Sequence, residues 1–216
     1  MSEAMSITHD EEERTPPKRV RLEKLQEVHV SELIKIDRAA AEEYWALGFD
    51  AAEVPVRTNG ELYRLPKQHA VRVAEADYVV AGYSAFRDES PGVAYLEEIS
   101  VHPDYRRFGI GRRLIEQVFE EARQANLKEL VLRRWDKADW AVAFYEKLGF
   151  KPIDDSAPER VRGWLAEKTD GGRPFLRPGE SALWVALPRA AEAEPEEEEE
   201  PEPDDPAVDD GEGSAS

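Results

Sequence analysis

The chain has no cysteine, no run of 18 apolar residues, and 29 bases against 47 acids in 216 residues. Without cysteine there is no disulfide framework, no thiolate metal site and no cysteine nucleophile, and a reducing compartment is the natural setting. Without a long apolar run there is no expected membrane span, and Met1 to Pro17 lack the basic flank and apolar stretch of a secretory signal. The expected location is the cytoplasm. Bases are missing altogether from 190–216, which hold 13 acids, so the rest of the chain is close to neutral with 34 acids and 29 bases. Such a tail repels nucleic acid and anionic lipid, and it buries too little apolar surface to offset chain entropy. The expected organisation is a disordered tail over 1–17, one domain over 18–189 and a disordered acidic tail over 190–216. His9, His29, His69 and His102 show no metal-ligand spacing, so no metal is expected.

What is present reads as mixed α/β. Val20–Leu25 is a strand candidate. Val28, Val30, Leu33, Ile34, Ala41, Tyr44, Trp45 and Leu47 then mark an approximately helical apolar face that ends at Gly48. Pro55, Pro66 and Asn59-Gly60 keep any helix in 50–67 short. Ala70–Ala74, Tyr78–Phe86 and Gly92–Val101 are β-rich and separated by turn residues, so antiparallel neighbours are expected. Ile110–Ala125 is an amphipathic helix, Leu127–Leu132 a strand and Asp139–Leu148 a helix closed by Gly149, the rhythm of a crossover unit with parallel strands. The stretch 154–180 is polar and turn-rich, and Ser181–Leu187 is a last strand.

The densest chemical signal is Arg106-x-x-Gly109-x-Gly111, set between a strand and a helix. Glycines there let a backbone approach a ligand where the unpaired amides at a helix start point outward, which makes an anion cradle. Arg106, Arg107, Arg112 and Arg113 surround it and suggest a phosphate-bearing ligand. The plainer alternative is a turn whose arginines solvate a helix end. Position 114 is Leu, which breaks a dinucleotide fingerprint, and the Lys-Ser/Thr of a P-loop is absent. Apolar parity also changes from Ala94 and Leu96 to Ile99 and Val101 across Glu97-Glu98; a β-bulge would account for this, as would burial of both faces.

From Ala94 to Phe150 the chain resembles the GNAT superfamily of acetyl-CoA-dependent N-acetyltransferases. Arg106, Gly109 and Gly111 match its pyrophosphate loop, and Tyr145-Glu-Lys-Leu-Gly-Phe150 is similar to its second signature. The resemblance implies a mostly antiparallel sheet with a splayed parallel pair and flanking helices. It implies acetyl-CoA as co-substrate and direct transfer of the acetyl group to a primary amine. Cofactor contacts would fall on Ile99, Ser100, Val101, Arg106, Arg107, Phe108, Gly109, Ile110, Gly111 and Arg112.

Glu97, as first choice, or Glu98 would take the amine's proton, and Tyr145 would donate to the departing thiolate. The alternative reading makes either Glu only the ion-pair partner of an arginine, and Tyr145 a packing residue. The family often has Asn seven residues before its tyrosine or just after the Trp; here these positions are Ala138 and Ala141, with Asp139 available as a substitute cap. Two alternatives follow: a catalytically silent CoA-binding module, and an interaction protein working through its acidic tail. A homodimer is compatible with the resemblance, and Trp164 is a candidate for the acceptor pocket.

Overall fold

The computed structural model describes residues 15–170 and 173–187; the expected tails, apart from residues 15–17, lie outside the described residues. Seven strands form one sheet. β1 (Val20–Lys24), β2 (Ala70–Ala76), β3 (Val79–Ser90) and β4 (Val93–Val101) run antiparallel in sequence order. The two hairpins join through Asp77-Tyr78, both at positive φ, and through Pro91-Gly92, with Gly92 at φ 82°. The helices are α1 (Val30–Ala46), α2 (Asn59–Arg64), α3 (Ile110–Gln124), α4 (Asp139–Lys147) and α5 (Glu159–Glu167).

β4 and β5 (Glu129–Trp135) are the parallel pair, joined through α3. The parallel rhythm expected beyond β5 is not what forms. β6 is only Lys151–Pro152, and the last strand, β9 (Glu180–Ala186), pairs antiparallel with β5 on one edge and β6 on the other. A two-strand ribbon of β7 (Thr169–Asp170) and β8 (Arg173–Pro174) stands apart from the sheet. α5 is a second correction, because its stretch reads as turn-rich; Val161 and Trp164 are buried although Gly163 lies between them. Asn59-Gly60 forms no turn. It opens α2, because Thr58 accepts from Glu61 N–H and the Glu61 carboxylate accepts from Thr58 N–H in a reciprocal cap.

Strand alternation sorts the core into two layers. Ala94 and Leu96 of β4 meet Ile115 and Val118 of α3 and Tyr145 of α4. Val93 and Tyr95, on the opposite face, meet Val161 and Trp164 of α5. Tyr83 and Ala85 of β3 continue that second face under Leu33 and Ile36 of α1. Helices α3 and α4 therefore cover one side of the sheet, and α1, α2 and α5 the other. No helix among the described residues is long and apolar enough to cross a membrane.

Candidate active site

Two breaks in strand pairing create the site. The parallel register of β4 with β5 runs only from Val93↔Glu129 to Tyr95↔Val131, so beyond Tyr95 the strands part and one edge of Leu96–Val101 has no strand beside it. Across the other edge, Ala85 pairs with Glu98 and Phe86 with Leu96, which leaves Glu97 as the extra residue of a β-bulge. The change of apolar parity thus has its cause in the backbone. Ile99, Ser100 and Val101 follow the bulge, paired to Ser84, Tyr83 and Gly82 of β3 and open toward β5. A Cβ on Gly82 would lie 2.7 Å from the Ser100 carbonyl oxygen, so glycine is required where β3 passes this strand.

The cradle follows directly. Arg107 (φ 68°) and Gly109 (φ 78°) are left-handed on either side of Phe108, and α3 starts at Ile110. Arg113 N–H donates to Gly109 C=O at 3.1 Å, so the amides of Ile110, Gly111 and Arg112 before it have no carbonyl to reach within the helix. They sit at the positive end of α3, the arrangement that suits a phosphate. The two motif glycines serve different ends. Gly109 supplies the left-handed turn, whereas a Cβ on Gly111 would meet the Phe144 ring at 3.3 Å, which makes it the contact point between α3 and α4. Arg106 is committed elsewhere: its Nε donates to the Val101 carbonyl at 2.9 Å and its Nη1 pairs with Glu43 of α1. Its side chain ties the cradle to α1, leaving the anion to the amides.

The bulge turns Glu97 and Glu98 toward the same face, that of α1 and α5, with different partners. Glu97 is bound by Arg87, with His69 Nε2 at 3.7 Å. Burial pushes its carboxyl up, but the hydrogen bond and charge of Arg87 outweigh this and hold it at about 2, while His69 donates from Nδ1 to the Leu65 carbonyl at 3.1 Å and accepts from Arg87 Nη1 at Nε2. Glu98 Oε2 accepts from Arg57 Nη1 at 2.7 Å and its Oε1 from Ser100 Oγ at 2.9 Å. Arg57 Nη1 also reaches Asp37 Oδ2 and the Tyr83 hydroxyl, each at 3.3 Å, while that hydroxyl donates to Asp37. Asp37 is raised to about 6, first by burial and then by the charge of Glu98. Neither Asp37, Arg57 nor Tyr83 belongs to a sequence motif.

Tyr145 arrives from the other face on α4, with its ring edge-on to Phe144 and Phe150 at 5.2 and 5.4 Å. Its hydroxyl is pushed far up, chiefly by burial and then by Tyr44 and the charge of Glu98, so it remains a proton donor. Glu98 and Tyr145 thus lie on opposite faces of the sheet near the point where β4 leaves β5. Ala138 is the N-cap of α4 and makes no side-chain cap bond; Asp139 does not replace it but lies in the first helical turn, where its charge favours the dipole. Trp164 packs between Tyr95 and Phe175 at 5.9 and 5.2 Å, a core position. The aromatics at the mouth of the gap are instead Tyr44, Phe49, Trp135 and the half-exposed Trp140, in contact from 4.6 to 5.9 Å.

Glu23, His29 and Glu75 bring three ligand-type atoms within 4.8 Å of one another, well away from the gap. His29 Nδ1 accepts the Gln26 N–H at 3.2 Å, which places the ring proton on Nε2 facing Glu75. That tautomer makes His29 a cap and a donor, with no lone pair left for a metal ion.

With the geometry in place, the comparisons with known proteins are direct. Residues 30–150 match the family model described as Acetyltransferase (GNAT) family. The chain belongs to the GNAT acetyltransferase family. Among curated relatives of this GNAT chain, the [ribosomal protein bS18]-alanine N-acetyltransferase of Escherichia coli is 40% identical over 95 residues, 44% of this chain and 55% of that protein. Three further relatives are matched over only 31–49% of their length, so the chain spans about half or less of the curated relatives it resembles. Two solved structures share the fold. PaiA N-acetyltransferase from Thermoplasma acidophilum, in complex with coenzyme A, has a TM-score of 0.59 at 17% identity over 78% of this chain and 99% of that one. An acetyltransferase from Streptococcus agalactiae has 0.61 at 18% identity over 79% and 99%.

Proposed function

We propose that the protein is an acetyl-CoA-dependent N-acetyltransferase that passes the acetyl group directly to a primary amine. The observation that carries this reading is the junction of three features: a helix-start anion cradle, an unpaired strand edge leading from it, and a gap flanked by Glu98 and Tyr145. The amides of Ile110, Gly111 and Arg112 would hold the pyrophosphate of CoA, and the open edge at Ile99 to Val101 would pair with the amide-bearing pantetheine arm. The structure of a neighbour in complex with CoA supports the choice of cofactor.

The proton acceptor is assigned to Glu98, which follows the bulge beside Ser100 on the strand with the open edge, whereas Arg87 holds Glu97 well below the usual carboxylate range. Glu98 takes the proton as the amine nitrogen attacks the thioester carbon. The new C–N bond forms as the C–S bond breaks, and Tyr145 donates a proton or a hydrogen bond to the departing sulfur. The acceptor enters from the α1 face, past Tyr44 and Trp140. An alanine-initiated peptide is a rational first acceptor, given the E. coli relative. The reaction is placed in the cytoplasm, as a cysteine-free chain allows.

Calorimetric titration with acetyl-CoA and CoA tests this, with Gly109→Trp, at the cradle position whose Cβ direction is open, as the blocked cradle. Saturable binding lost in the variant, followed by thiol release with a panel of peptides and small amines, is the expected result. Glu98→Gln should then lower the rate about 100-fold or more, with Glu97→Gln much milder. Absence of binding by the folded wild type would overturn the reading. Binding without turnover would favour a silent CoA-binding module, which the uncapped Ala138 start of α4 also suits.

A further inference from the structure

The contact that stands out beyond the motif residues is one guanidinium shared by two carboxylates. Arg57 Nη1 lies 2.7 Å from Glu98 Oε2 and 3.3 Å from Asp37 Oδ2, and all three side chains are mostly shielded from solvent. Arg57 directly precedes Thr58, the cap of α2, so its backbone is fixed by the reciprocal Thr58–Glu61 bonds. Asp37 is fixed as well, in the middle of α1, by the hydroxyl of fully buried Tyr83. The cluster therefore carries two negative charges and one positive charge when both carboxyls are ionised.

A purely structural ion pair needs no second carboxylate, and an unbalanced buried charge works against folding. What the imbalance does favour is uptake of one proton, because this takes the cluster from a net charge of minus one to neutral. We propose that Asp37 is a positioning residue for acetyl transfer: through Arg57 it keeps the Asp37–Glu98 pair one charge short of balance, so that the pair accepts one proton as the amine is attacked. This rests on Glu98 being the proton acceptor. The amine's proton moves to the Glu98 carboxylate, the N–C bond replaces the C–S bond, and the pair ends neutral. With Asn in place of Asp37 the same transfer would leave a net positive charge in the same buried space.

The groups that face the pair come from every element packed around it. They are Asp37 and Tyr44 of α1, Arg57 of the α1–α2 loop, Tyr83 of β3 and Tyr145 of α4. The Tyr44, Tyr83 and Tyr145 hydroxyls are all pushed up, chiefly by burial, and remain neutral. The titrating behaviour therefore belongs to the two carboxylates and the fixed Arg57 charge, and their proton uptake is a property of the pair.

The first arm of the test needs no acceptor. Carbon-13 NMR of the full chain, labelled at Asp and Glu carboxyls, follows Asp37 and Glu98 across the acid and neutral range, with Asp37→Asn and Glu98→Gln assigning the signals. Both carbons are expected to respond in each of two shared steps, because each carboxylate meets the same Arg57 Nη1. Asp37→Asn should remove the upper step from Glu98 and move its remaining midpoint down by about one pH unit or more. Two independent single steps in the wild type, or an unmoved Glu98 midpoint in Asp37→Asn, would overturn the proposal. With the best amine of the panel, the acid limb of kcat/KM should move down in Asp37→Asn and up in Arg57→Gln, opposite signs that a loss of packing does not produce. A rate lost in Glu98→Gln with an unmoved Asp37→Asn limb would remove this inference alone; an undiminished rate in Glu98→Gln would remove the proton-acceptor assignment with it. CoA binding by each variant serves as the check on folding.

Discussion

Glu97 and Glu98 are neighbours whose environments drive them apart, and each has a pH signature. For Glu97 the carboxyl goes from an ordinary 4.5 to about 2, so its pairing with Arg87 stabilises the fold fully above 4.5 and is lost as pH falls toward 2. Glu97→Gln should flatten acid unfolding across that window, measured by urea denaturation at stepped pH; an unchanged acid slope would mean that the pairing contributes nothing. Asp37 has the opposite sign, because a carboxyl raised from 3.8 to about 6 costs stability as pH rises through that interval. Gly109 makes a separate prediction at this scale. With φ at 78° and open space around its Cβ position, Gly109→Ala meets no clash and should cost about 1–2 kcal/mol by backbone strain alone, read from urea midpoints. The cradle glycines were legible in the sequence because a short motif carries them. Asp37, Arg57 and Tyr83 were not, since they lie 20 and 26 residues apart and meet only after α1, the loop and β3 have packed.

The loop between α1 and α2 has little regular structure of its own and several ties to other parts of the fold. Trp45 Nε1 donates to the Val54 carbonyl at 3.1 Å, Arg177 Nη1 donates to the Glu53 carbonyl at 2.8 Å, and Phe49 rests on Trp135 at 4.6 Å. Those ties fix the loop and deliver Arg57 to Glu98 and Asp37. Arg177→Ala should raise amide exchange and proteolysis within 50–57 while leaving CoA binding intact; equal protection in both proteins would show the tie to be idle. Helix α5 is where sequence reading stopped short. Its inward residues are few, Gly163 interrupts them, and polar residues flank them, so periodicity alone does not separate it from a loop. Tertiary packing decides it, through Trp164 against Tyr95 and Phe175. The Trp164 indole N–H is buried without an acceptor, so Trp164→Phe loses volume but no hydrogen bond. It should cost about 1 kcal/mol, against about 3–5 for Trp164→Ala, by chemical denaturation.

At the scale of the whole molecule the sheet is nearly two sheets. β1 to β4 form one antiparallel unit and β5, β9 and β6 another, joined in the sheet by a parallel register of Val93 to Tyr95 against Glu129 to Val131. Helix α3 bridges them on one face, with Ile110 and Leu114 packed near β2 and β3 and Ile115 and Val118 near β4 and β5. A ligand with its phosphates on the start of α3 and its amide-bearing arm along Ile99 to Val101 would act as a missing strand and lengthen the seam. Because it binds only the folded form, its stabilisation grows with concentration, about 2.7 kcal/mol at a hundred times its Kd. The distribution of that gain is the sharper test. Hydrogen exchange with saturating CoA should slow at the cradle, along 96–101, and at the facing end of β5, Leu132 to Trp135, since a strand-like ligand protects both lips of the gap. Protection confined to 106–112 would mean that the anion cradle binds the nucleotide end while the gap stays open, and the catalytic placement of Glu98 and Tyr145 near it would then have no ligand to act upon.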